Sequence, residues 1–264
     1  MIQRIQSIWG YRNFIWSTII TDLRVRFTGS KLGGLWIFLH PLLEIAMYAL
    51  VLSKLLATRL SGIEGSFSYA IYLTAGTLFW SMFADILLRS LNVFTSNAHL
   101  IKKISFPVSC LPLIVSGSAL LNNLLLLLAI IVIFALAGHM PTATILLLPV
   151  LMLITIVLAA SLGLLLGVLN VFVRDIGQVM PVVLQFSFWL TPIVYPLQTI
   201  PESYHWLFNF NPMFHLASAY QAVLVFHRWP DWNGLLLVLL LGLGLLALAV
   251  TVYRRAKSEL VDML

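Results

Sequence analysis

Six histidines, nine carboxylates and one thiol are the side chains of this 264-residue sequence that invite a chemical reading. A metal centre gathers such groups at short spacing. His40, His99, His139, His205, His215 and His227 are instead scattered, with no pair at i, i+3 or i, i+4 and no cysteine cluster beside them. Cys110 has no second cysteine to bridge to and reads as a small packing residue. His227 and Asp231 in HRWPD come nearest to an acid–base pair, but a Trp-Pro step lies between them and no nucleophile is close. A phosphate-cradling loop needs G-x-x-x-x-G-K-[ST], which neither GSK (29–31) nor any other lysine context supplies. GLGLLA (242–247) matches a dinucleotide fingerprint on paper, yet it sits inside an apolar run with no strand and turn before it, so it reads as helix packing. No catalytic residue and no metal ligand is assigned.

The chain around these residues explains why. Hydrophobic residues make up 61% and charged residues 9%, where a soluble domain carries about 25% charge. This excludes an ordinary soluble domain, a disordered chain, a collagen and a disulfide scaffold. What remains is an all-α, polytopic membrane protein with little chain left for a soluble domain. In such a protein a buried polar group carries information, because a charge in hydrocarbon costs about 2.5–3.5 kcal/mol or more. Glu44, in mid-span just after Pro41, either lines a conduit or bonds to a neighbouring helix. Asn122, Asn123 and Gln185 join the same polar interior, whereas Asp85 and Arg89, at i, i+4, form an ion pair at the inner end of a span.

Six apolar stretches, at about 34–57, 68–88, 108–137, 142–170, 179–196 and 231–252, are long enough to cross the bilayer. They make residues 34–264 one transmembrane domain. Residues 1–33 place Arg4, Arg12, Arg24, Arg26 and Lys31 among Ile2, Ile5, Ile8, Ile15, Ile19 and Leu23, the spacing of an amphipathic helix on the membrane surface. An even span count puts both termini on one side. With that side cytoplasmic, twelve of fifteen basic residues are inside and only Lys54, Arg59 and Arg228 are outside, as positive-inside bias requires. The +6 net charge then needs no nucleic acid.

Pro112 and Pro149 predict kinks in the third and fourth spans, and Gly138-His139-Met140-Pro141 predicts a tight hairpin between them. Gly163 and Gly167, at small-xxx-small spacing, predict close packing, within the chain in preference to a dimer contact. The outer segment 197–230 is aromatic and apolar, and Asn211-Pro212 is the start signal of a helix over about 212–226. Together these predict a re-entrant or interfacial helix pair before the last span.

RFTGSKLGGLWIFLHPL (26–42) resembles the opening motif of the membrane subunits of polysaccharide-exporting ABC transporters. NVFVRDIGQVMPVVLQFSFWLTPIVYP (170–196) is similar to that family's second signature, and FNFNPMFHL (208–216) to its Asn-Pro step into the outer helix. The three follow in the family's order over essentially the whole chain, with the permeases for lipopolysaccharide O-antigen the nearest kind and the exporters of capsule and teichoic acid next.

The resemblance implies a homodimeric permease in a bacterial inner membrane, driven by two separate nucleotide-binding subunits. ATP and magnesium would belong to those subunits, and no cofactor to this chain. The cargo implied is a glycan on undecaprenyl pyrophosphate, moved among membrane lipids. Arg24, Arg26 and Lys31 stand where a pyrophosphate would be received at the inner interface. Glu44, Phe79, Trp80, Phe83, Asn122, Gln185, Phe186, Phe188, Trp189 and Tyr195 are the candidates for lining the path, the rings offering flat faces to sugars. Within SNAHLIKKISFP (96–107), Asn97, His99, Leu100, Lys102 and Lys103 stand where such transporters dock the ATPase. Arg174 and Asp175 form a second contact or a gate ion pair. An exporter of small drugs or lipids is the first rival reading and a membrane-embedded lipid or sugar transferase the second.

Overall fold

The computed structural model describes residues 10–27, 31, 33–36, 39, 43, 46, 47, 68–103, 110–136, 138–140 and 142–264. Glu44 and most of the expected first span lie outside the described residues. Among the described residues every regular element is helical. In chain order they are α1 (Arg12–Phe27), α2 (Ser68–Leu91), α3 (Val93–Ser96), α4 (Ala98–Lys103), α5 (Cys110–Leu136) and α6 (Leu148–Phe172). They continue as α7 (Asp175–Leu190), α8 (His205–Asn209), α9 (Pro212–Leu224) and α10 (Trp232–Met263). Short 3-10 turns at Ala143–Leu147, Leu197–Thr199 and Glu202–Tyr204 connect some of them.

Four of these helical runs, over Tyr69–Leu91, Cys110–Ala135, Ala143–Phe172 and Trp232–Met263, are long and apolar enough to cross a membrane. At about 1.5 Å per residue even the shortest exceeds the ~30 Å of hydrocarbon. α2 is the central post, with no exposed residue between Tyr69 and Leu91. Its flank against α6 is fitted by Gly163 and Gly167. A methyl on Gly163 would sit 2.6 Å from Ser90 Cβ, and one on Gly167 would sit 2.6 Å from the Ser90 carbonyl. The small-residue spacing therefore serves packing within the chain. α10 meets α6 through Leu235, Val238, Gly242 and Ala249, a helical stripe. A methyl on Gly242 would press on Val157 and the Leu158 backbone, which accounts for GLGLLA as packing.

Five expectations are corrected. The residues of α1 do not part into two faces: Arg12 and Arg26 fall within its apolar arc, Phe14 and Val25 within its polar one. It docks instead on α5, with Ile19 over Gly117 and against Cys110 and Ile114. Pro149 is the second residue of α6, where a missing amide costs no helical bond, and Pro112 stands in the first turn of α5. The proline inside a helix is Pro181, in α7. α7 ends at Leu190, short of 196, because Thr191 before Pro192 is extended (φ −100°, ψ 133°), as a following proline demands. Its 16 residues rise only about 24 Å. α10 runs past 252 to Met263, since nothing in TVYRRAKSELVDM breaks a helix. Its extension stacks Tyr253 on Phe94 of α3, with ring centroids 5.7 Å apart.

Candidate transport path and coupling surfaces

Among the described residues α7 is buried along one side. Leu184 and Phe188 are buried, with Phe188 against Trp80 of α2 at 5.5 Å. The other sides are open: Gln178, Val182, Gln185, Phe186 and Trp189 are exposed, Phe186 by 67% and Trp189 by 43%. Residues 178, 182, 185 and 189 recur at helical spacing and form one row, so two amides and an indole share a strip. Immediately beyond, the TPIVYP strand of backbone is stitched down. The Tyr69 hydroxyl donates to the Val194 carbonyl (2.8 Å), and Tyr72 and Gln221 donate to the Pro192 carbonyl (3.2 and 3.1 Å). Tyr195 donates back to the Trp189 carbonyl (2.8 Å) and borders a cavity of about 630 Å³ with Ser187, Leu190, Tyr204 and Phe210.

Not every aromatic candidate faces outward. Phe79 and Phe83 are buried in the chain's own core, Phe79 with ring centroids 5.7 Å from Tyr220 and 6.0 Å from Phe83. Rings i, i+4 on the all-buried α2 meet neighbouring helices, so these two are removed from the path candidates. Phe188 is removed on the same ground, being 6% exposed. Trp80 is half-buried between Phe83 and Phe188. Asn122 is half-buried, and the fully buried Asn123 donates to the Leu78 carbonyl (2.9 Å).

At the opposite end of α2 the ion pair is more than a local one. Arg89 meets Asp85 at only 3.8 Å, but its Nη2 donates to Asp22 of α1 at 2.8 Å, and Ser118 of α5 donates to the same carboxylate oxygen at 2.7 Å. Three helices thus share one carboxylate. Sequence spacing had shown the i, i+4 partner and missed Asp22. The available signal was a lone acid in a basic helix. Arg24 and Lys31 are exposed, while the Arg26 side chain lies outside the described residues.

Asn170 joins the next three elements. Its amide donates toward the Leu91 carbonyl ending α2 (3.3 Å), and its oxygen accepts from the Gly177 amide in the first turn of α7 (2.8 Å). The polar cavity beside it, about 440 Å³, is lined by Asn92, Thr95, Asn170, Arg174 and Gln178, among others. Arg174 and Asp175 are both exposed and form no ion pair with each other among the described residues. In α4, His99 and Lys102 are exposed, and Asn97 just before it donates to the Val93 carbonyl (2.8 Å). The Leu100 and Lys103 side chains lie outside the described residues.

Two histidines that sequence spacing had left apart are brought together. His139 and His227 stack with centroids 4.6 Å apart. Asp231, the other half of HRWPD, is spent elsewhere, accepting from the Asn233 and Gly234 amides at the start of α10. Among the described residues no three His, Cys, Asp or Glu side chains gather to hold a metal.

The family profile described as ABC-2 type transporter matches residues 14–225. The chain is 28% identical over 264 residues to the O-antigen export system permease protein RfbA of Myxococcus xanthus, covering 99% of each. It is 25% identical over 244 residues to an RfbA of Klebsiella pneumoniae (92% of each). It is 24% identical over 203 residues to the polysialic acid transport protein KpsM of Escherichia coli, 75% of this chain and 76% of that protein.

Proposed function

The chain belongs to the ABC-2 type transporter family, and from that premise we propose that it is the permease half of an exporter of lipid-linked O-antigen polysaccharide across the bacterial inner membrane. The observation that carries the reading is α7, a short helix whose row of Gln178, Val182 and Gln185, with Phe186 and Trp189 beside it, is exposed among the described residues. A strip of amides and flat rings suits sugar, whose hydroxyls bond to amides and whose C–H faces lie on rings. Its closure calls for a second copy of the chain. The full-length likeness to O-antigen export permeases supports this cargo over capsule glycan.

In this reading six spans place both termini in the cytoplasm, the first span running over 34–57. Arg24, Arg26 and Lys31 receive the pyrophosphate of an undecaprenyl carrier, and Glu44, Trp80, Asn122, Gln185, Phe186, Trp189 and Tyr195 border the path. Two ATPase subunits supply the energy. They dock on Asn97, His99, Leu100, Lys102 and Lys103 and, as a smaller contact, on Arg174 and Asp175. The stretch α3–α4 follows directly from the buried α2, so a push there reaches the core.

Deletion of the gene tests the reading through its cargo. Surface polysaccharide is expected to disappear while full-length undecaprenyl-linked polymer accumulates inside the cell. Normal surface polysaccharide would overturn the proposal and bring forward an exporter of small drugs or lipids.

A further inference from the structure

We propose that the turn between α5 and α6 and the C-terminal end of α9 form a proton-operated latch, closed while His139 and His227 are neutral and released when both are protonated. The inference stands on this end of the fold alone and is independent of the cargo.

The two rings come from different elements, His139 from the turn after α5 and His227 from the segment after α9, and lie 18° from parallel at 4.6 Å. Phe134 packs against His139 edge-to-face at 5.5 Å. Each ring is wired to the end of α9. Val223 and Leu224 close that helix, where carbonyls have no amide one turn on to accept from. His139 Nε2 lies 3.0 Å from the Leu224 carbonyl, and Thr144 Oγ1 donates to the Val223 carbonyl at 2.8 Å.

The proton positions follow from counting. A carbonyl only accepts, so His139 carries its proton on Nε2. Thr144 has spent its one proton on Val223, so the 2.9 Å bond between Thr142 and Thr144 is donated by Thr142. Thr142 then has none left for the 3.1 Å bond to His227 Nδ1, so His227 donates it. Both rings are satisfied in the neutral form, with His139 Nδ1 and His227 Nε2 left to take a further proton.

The backbone supplies a second observation. His227 has φ +53°, a left-handed conformation that costs a residue with a side chain of order 1 kcal/mol. The Arg228 amide bonding back to the Ala222 carbonyl (2.9 Å) completes a helix-ending turn in which glycine is the common residue. A histidine is held there by its bond to Thr142.

Among the described residues no anion stands ready to neutralise two imidazolium rings. The 138–147 turn brings no charged side chain but His139 itself. α9 contributes only His215 and Tyr220, of which His215 bonds to the Asn209 carbonyl and Tyr220 is fully buried against Thr155. Residues 225–231 add Arg228, of the same sign, and Asp231, engaged in capping α10. Partial loss of hydration, then the neighbouring His139, hold the His227 pKa below the ordinary histidine value of 6.5. A depressed pKa means that the closed form favours neutral His227. Its stabilisation is complete above about pH 6.5 and fades as the pH falls through the lower, folded-state value.

Spin labels at Met140→Cys and Trp229→Cys, in full-length protein with Cys110→Ala in lipid nanodiscs, report the gap directly. Both sites are exposed, by 65% and 71%, and neither contributes to the network. One short distance is expected at about pH 8, with a longer one whose share rises roughly fivefold by about pH 5 and reverts on return. His139→Phe keeps a flat ring without the titrating nitrogen, and His227→Asn keeps a residue tolerant of the left-handed turn. Each is expected to flatten the response. A wild-type distribution that does not change with pH, or a response that survives in the double variant, would overturn the latch. The wild-type titration needs neither histidine variant to fold.

Discussion

Asp22 ties α1 to both α2 and α5 through one carboxylate oxygen, which takes Arg89 at 2.8 Å and Ser118 at 2.7 Å. Asp85, on the same helix as Arg89, stands off at 3.8 Å. Distance to Arg89 therefore ranks the two acids. Asp22→Asn keeps the shape and an oxygen that can accept from both Arg89 and Ser118 but loses the charge assistance, and is expected to cost about 1–2 kcal/mol. Asp22→Leu leaves the half-buried Arg89 with the distant Asp85 alone and is expected to cost about 3 kcal/mol. Asp85→Asn should cost less than about 0.5 kcal/mol. Thermal unfolding in detergent reads the order. Equal losses from Asp22→Asn and Asp85→Asn would show that α1 is held by the Ile19–Gly117 contact and not by the charge.

At the scale of elements, contacts between helices depend on which residues are missing a side chain. Gly167→Leu would drive a branched side chain into the Ser90 and Leu91 carbonyls, whereas Gly244, with nothing within 4 Å of its Cβ position, has room. Gly167→Leu is expected to destabilise by about 3 kcal/mol or more and Gly244→Leu hardly at all. Comparable yields and unfolding midpoints for the two would mean that α2 and α6 are not closely apposed. The same contrast explains what was legible in the sequence. Periodicity and length brought out the helices of α2, α5, α6 and α10, and Asn211-Pro212 marked the start of α9, where Asn211 accepts from the Met213 amide. Local stop signals were passed over: Pro192 inside an apolar run ends α7. The last apolar stretch was bounded by hydropathy at about 252, though the charged residues that follow continue a helix readily. The candidate site was legible in residue type but not in direction. Phe79 and Phe186 are alike in a list of aromatics. One is buried and the other exposed because α2 has no exposed residue between Tyr69 and Leu91, whereas among the described residues α7 buries one side. Asp22–Arg89 and His139–His227 were hidden for a different reason, since each joins residues distant in sequence that no local spacing connects.

For the whole molecule, the open side of α7 and the fully surrounded α2 have opposite meanings for assembly. A helix wrapped by its own chain has no surface to give a partner; α7 gives Val182, Gln185, Phe186 and Trp189. Bilayer lipid would cover valine and phenylalanine, but Gln178 and Gln185 on the same row do not belong against hydrocarbon, where an unbonded amide is costly. A water-filled path bordered by a second copy satisfies both sets at once. On that argument Phe186→Cys in a Cys110→Ala background is expected to give an oxidised product of twice the chain mass in native membranes. Leu240→Cys, on the apolar outer side of α10, is expected to stay single. The two have comparable exposure, 67% for Phe186 and 57% for Leu240, so accessibility alone predicts no difference between them. Cross-linking at Leu240 with none at Phe186 would move the contact between copies to α10 and leave the glutamine row facing a cavity within one chain.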